Sequence, residues 1–84
     1  MDQVKILIVD DDKEIVQLLE IYAHNEGYEP VTAYNGKDAI TKLNTMPDIS
    51  LVILDLMMPE MDGIDVIRQV RKDSSIPILV LSAK

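Results

Sequence analysis

Two short apolar runs each stop at carboxylates: Ile6-Leu7-Ile8-Val9 runs into Asp10-Asp11-Asp12, and Leu51-Val52-Ile53-Leu54 runs into Asp55. A strand with one wet face would alternate polar and apolar residues. An unbroken, β-branched run reads instead as a strand covered on both faces, which is the habit of parallel sheets. In an open parallel sheet the functional groups gather beyond the carboxyl ends of the strands. If these two strands are neighbours, Asp10, Asp11 and Asp55 share one small pocket. Carboxylates held that close repel one another unless a cation neutralises them. Oxygen-only ligands in a chain with no cysteine favour Mg²⁺ over zinc or copper.

The rest of the chain supplies the layers such a sheet needs. The first strand covers residues 4–9. A helix is expected from about Asp12 to Glu26, with Ile15, Leu18, Leu19 and Tyr22 on one face at helical spacing. Asp11, Asp12 and Glu14 suit its positive end, and Gly27 is placed to stop it. A second strand spans about Glu29–Ala33. Asn35-Gly36 turns into a helix carrying Ala39, Ile40 and Leu43, which ends before Pro47. The third strand is Ser50–Leu54. A third helix starts near Gly63, buries Ile64, Ile67 and Val70, and closes with Arg68, Arg71 and Lys72 near its negative end. Pro77 opens the fourth strand, where a proline is tolerated. Strands alternating with helices through short links mean an α/β fold with a parallel sheet, and right-handed crossovers restrict its topology.

Length and composition narrow the function classes. Eighty-four residues make one domain, 1–84, on the small side for a single core. A formal charge of −7 argues against direct binding of nucleic acid or an anionic membrane, since nothing here could neutralise a phosphate backbone. No basic and apolar leader opens the chain. No apolar run approaches the roughly 20 residues needed to span a bilayer. A cytoplasmic location is therefore expected, and the absence of cysteine fits a reducing compartment.

Three motifs then carry a resemblance that covers the chain from Val4 onward. Asp55-Leu56-Met57-Met58-Pro59-Glu60-Met61-Asp62-Gly63 resembles the phosphoacceptor segment of bacterial response-regulator receiver domains. Ile6-Leu7-Ile8-Val9-Asp10-Asp11-Asp12 resembles their first strand with its acidic pair, and Ile78-Leu79-Val80-Leu81-Ser82-Ala83 their fourth strand with its switch hydroxyl. The branch it looks most like places a receiver before a winged-helix DNA-binding domain. The resemblance implies a flavodoxin-like, doubly wound sheet of strand order 2-1-3-4, with the first helix on one face and the other two opposite.

It also implies roles. Asp55 would be the nucleophile that accepts a phosphoryl group from a sensor histidine kinase, forming an acyl phosphate. The bland alternative is a solvated aspartate capping a turn. Asp10, Asp11 and Asp55 would hold Mg²⁺, with Mn²⁺ as the substitute ion and the backbone carbonyl of Met57 as a further ligand. Against this, Asp11 or Asp12 could be simply the helix N-cap. Asp12 receives no catalytic role. The Ser82 hydroxyl would contact the phosphoryl group, and Ala83 would leave room for it and offer its N–H; a strand-ending serine is otherwise an ordinary turn former. Any catalysis would be confined to self-phosphorylation and autodephosphorylation at Asp55. Met57, Met58 and Met61 read as packing beneath the site, and His24 as a surface residue.

The chain also departs from that pattern. Receivers of this family carry a fifth strand and two further helices, together with an active-site lysine at the end of the fifth strand. Lys84, in the loop after the switch serine, does not occupy that place. An incomplete sheet would leave the fourth strand as an apolar edge and uncover the flank of the first helix, favouring a homodimer or exchange of elements. The second function class is therefore a self-associating assembly module that keeps the pocket without its chemistry. A haloacid-dehalogenase-like phosphatase would need a second aspartate where Met57 stands, and is set aside.

Overall fold

The computed structural model describes residues 3–56, 58 and 63–81. Seven elements follow in strict alternation: β1 (Lys5–Val9), α1 (Lys13–Asn25), β2 (Glu29–Ala33), α2 (Gly36–Thr45), β3 (Ile49–Asp55), α3 (Gly63–Arg71) and β4 (Ile78–Leu81). The strands form one parallel sheet in the order β2-β1-β3-β4, as the resemblance implied. β1 and β3 are direct neighbours, with Val9 opposite Leu54, so both carboxylate-bearing ends finish at the same level.

Each helix is delimited by chemistry visible in the sequence. Asp12 is the N-cap of α1 and accepts the backbone N–H groups of Glu14 and Ile15. At the other end Gly27 adopts φ 88°, with its N–H on the carbonyl of His24 and the Tyr28 N–H on that of Ala23. Those paired bonds make a Schellman stop, which a side chain would strain. Asn35 caps α2 through a 2.8 Å bond from the Asp38 N–H. At the end of α3, Arg71 donates to the carbonyls of Ser74 and Ile76, so this residue ties α3 to the approach of β4.

The core is split by the sheet. One side holds Ile6, Ile8 and Val16, with Leu19, Leu51 and Ile53 at its margin, and is covered by α1. The other holds Leu7, Val9, Val52, Leu54, Met58, Val66 and Val70, and is covered by α2 and α3. This explains the unbroken apolar runs: β1 and β3 have helices on both faces.

One expected helix face is out of phase by one residue, and another differs at a single position. α1 buries Val16 and Ala23, with Leu19 between them, whereas Ile15, Leu18 and Tyr22 are exposed. α3 keeps Val70 buried and Ile67 packed against the core as expected, but Ile64 is exposed and Val66 is buried instead. The apolar residues of α1 cover more than one narrow stripe, so two stripes sharing Leu19 fit the same period. Close approach to the sheet selects the stripe with the small residues Val16 and Ala23. β4 also departs from the double coverage of the inner strands: Leu79 is 54% and Val80 40% exposed.

Candidate metal and phosphoryl site

Three carboxylates converge beyond the ends of β1 and β3. Asp10, Asp11 and Asp55 each present an oxygen, and these oxygens all lie within 4.8 Å of one another. Asp10 and Asp55 are buried, while Asp11 faces solvent. Their backbone is fixed from several directions. The Asp10 N–H donates to Ala33 of β2, Asp55 pairs with Leu81 of β4, and the Gly63 N–H donates to the carbonyl of Leu56.

The electrostatics are those of a site awaiting positive charge. Burial pushes the Asp10 carboxyl above its ordinary value of 3.8, and the nearby Asp55 charge pushes in the same direction. The Asp12 N–H, donating to Asp10 Oδ1 at 2.9 Å, works against that rise without cancelling it. A hard divalent cation would supply the missing compensation. The donor set is oxygen only, and its spread suits an ion that takes a few carboxylates and keeps several waters, which is the habit of Mg²⁺.

The predicted residues therefore divide cleanly. Asp10, Asp11 and Asp55 are brought together; Met57, Ser82 and Ala83 lie outside the described residues. Asp12, not Asp11, caps α1, which leaves the Asp11 carboxylate to the cluster. Met58 packs in the core beneath, and His24 is on the surface, both as expected. Sequence reasoning passed over Gly63 as more than part of a motif, although it stands in contact distance of the Asp55 backbone. A cleft of about 350 Å³ between α2 and α3 is lined by Met46, Ile49 and Ile76, at the opposite end of the strands, with the single carboxylate Asp73 on its wall.

Known proteins share the fold of this chain. The transcriptional regulatory protein CpxR homolog of Haemophilus influenzae is 42% identical over 80 residues, which cover 95% of this chain and 34% of that protein. The chain thus spans about a third of the length of that curated relative. Among solved structures, the response regulator TrrA of Thermotoga maritima, in complex with Mg²⁺ and BeF, superposes with a TM-score of 0.90 at 38% identity, covering 98% of this chain and 71% of that one. The chemotaxis protein CheY4 of Vibrio cholerae gives 0.93 at 32% identity, with 99% and 71% covered. Residues 6–84 match the response regulator receiver domain, and the chain belongs to that family.

Proposed function

We propose that this chain is the phosphoacceptor part of a two-component signalling protein, with Asp55 as the residue that carries the phosphoryl group. A carboxylate oxygen of Asp55 attacks the phosphorus of a phosphohistidine on a sensor histidine kinase. The new O–P bond forms as the P–N bond breaks, and its electron pair stays with the imidazole. The observation that carries this reading is the meeting of Asp55 with Asp10 and Asp11 at the ends of two adjacent strands. Asp10, Asp11 and Asp55 would hold Mg²⁺, or Mn²⁺ in its place, with the Met57 carbonyl as a further ligand. When bound, the ion offsets the charge of the cluster and of the incoming phosphoryl oxygens. Ser82 and Ala83 would contact the phosphoryl group from the end of β4. The output is control of transcription, by analogy with the Haemophilus influenzae relative, a transcriptional regulatory protein; the setting that fits a chain without cysteine is a reducing cytoplasm.

Intact mass after incubation with acetyl phosphate tests this directly. A gain of one phosphoryl group that needs Mg²⁺, is abolished by chelator and is absent from Asp55→Asn is the expected result. No gain from folded protein would overturn it.

A second reading is favoured by the exposed Leu79 and Val80 of β4. In it the chain is a self-associating module, paired through that strand or by element exchange, which keeps the acidic pocket without using it.

A further inference from the structure

Gly63 has a place in the site that its backbone conformation does not require. A methyl group on Gly27 would meet nothing within 4 Å, and that residue is glycine for its φ of 88°. Gly63 is the reverse case. It opens α3 with its N–H on the Leu56 carbonyl, and a methyl group there would stand 2.6 Å from the Leu56 Cα, 2.7 Å from its Cδ2 and 2.8 Å from the Asp55 carbonyl oxygen. Two of those three atoms are backbone, so no rotamer change relieves the overlap.

Where the strain would go follows from what is anchored. α3 is held by Val66 and Val70 in the core, and β3 by Val52 and Leu54. Between them lies the Asp55–Leu56 peptide, whose two residues supply all three atoms that the methyl group would overlap. Asp55 is the last residue of β3 in register with β4, and the Leu56 N–H reaches the Leu81 carbonyl only at 3.4 Å. Displacement there would carry the Asp55 carboxylate out of the cluster it makes with Asp10 and Asp11.

We infer that Gly63 is a positioning residue for Asp55: its lack of a side chain lets the first turn of α3 close over the Asp55–Leu56 peptide and hold the Asp55 carboxylate at the metal and phosphoryl site. This rests on the role proposed above for Asp55.

The test compares wild type, Gly63→Ala, Ile64→Ala and the double variant Gly63→Ala with Leu56→Ala. Each is followed by Mg²⁺ titration and by the rate of phosphoryl gain from acetyl phosphate at saturating Mg²⁺. Folded Gly63→Ala is expected to be phosphorylated at least tenfold more slowly and to bind Mg²⁺ more weakly. Ile64→Ala, an exposed position one residue on, should match wild type. Shortening Leu56 removes the Cδ2 overlap and should restore part of the rate, which a general loss of stability would not do. Wild-type rate and Mg²⁺ affinity in Gly63→Ala would overturn the inference while leaving the role of Asp55 intact. Failure of wild type itself to gain a phosphoryl group would overturn both. If Gly63→Ala does not fold, the wild-type chain still decides: Mg²⁺ should shift the Gly63 amide resonance together with that of Leu56, and an unmoved Gly63 amide would rule the coupling out.

Discussion

The backbone N–H of Asp12 donates to Oδ1 of Asp10 at 2.9 Å, while the Asp12 carboxylate caps α1 through Glu14 and Ile15. One residue thus ties the buried carboxylate of the site to the start of a helix. Asp12→Ala loses the cap but keeps the N–H, so it should cost about 1 kcal/mol of stability and change Mg²⁺ affinity little. Asp11→Ala, at an exposed position within the cluster, should do the opposite: stability within about 0.5 kcal/mol of wild type, with clearly weaker Mg²⁺ binding. Denaturation curves and Mg²⁺ titrations of the two variants check this exchange of effects.

Asp10 makes the ion-free protein sensitive to pH in an unusual direction. Its carboxyl is raised in the fold by burial, so the native state keeps the proton to higher pH than the unfolded chain does. The stabilisation is complete below the ordinary value of 3.8 and is lost as pH rises through the folded value. Asp48 behaves oppositely, being lowered by its bond to Lys5: its contribution is present above 3.8 and disappears as pH falls through its folded value. Melting temperatures across pH in chelator should show Asp10→Asn flattening the loss above 3.8, and Asp48→Asn flattening the loss below it.

Mg²⁺ should oppose the first of these trends. An ion bound only by the folded state at a hundred times its Kd adds about 2.7 kcal/mol. For a domain this small that is a rise of roughly 10 °C or more in Tm. Chelator should reverse it, and Asp55→Asn should shrink it, both read by thermal denaturation.

The phase of α1 has a simple energetic signature. Val16 is fully buried and Leu18 is 59% exposed. Val16→Ala should therefore cost about 2 kcal/mol, from two lost methyl groups and the space they leave. Leu18→Ala, although the larger truncation, should stay within about 0.5 kcal/mol of wild type. Urea unfolding of both variants measures the difference.

If β4 mediates self-association, charge on it should prevent the contact. Leu79→Lys places an ammonium on the most exposed residue of the strand. Sedimentation should show a concentration-dependent dimer in wild type and a monomer in the variant. A wild-type monomer throughout would remove the assembly reading.

Much of the architecture was legible in the sequence because its signals are local. Asp12, Asn35 and Gly27 are boundary residues whose own chemistry starts or stops a helix. The uninterrupted apolar runs in β1 and β3 announced double coverage, and the aspartates that ended them announced the site. The helix faces were less legible. In α1 the run from Ile15 to Ala23 offers two stripes, and periodicity gives no ground for preferring Val16 over Ile15.

The sequence alone determined the alternation of strands and helices, the caps, and which carboxylates stand at strand ends, since each depends on residues a few positions apart. That β1 lies beside β3, which brings Asp10 and Asp11 to Asp55 from distant parts of the chain, was implied by the family resemblance and not by the residues themselves, and it is tertiary pairing that brings it about. Only the tertiary structure decided which stripe of α1 meets the sheet, and that α3 closes over Asp55 through a glycine with no room for a methyl group. These outcomes depend on how closely two surfaces can approach, a property of the packed pair that neither segment carries by itself.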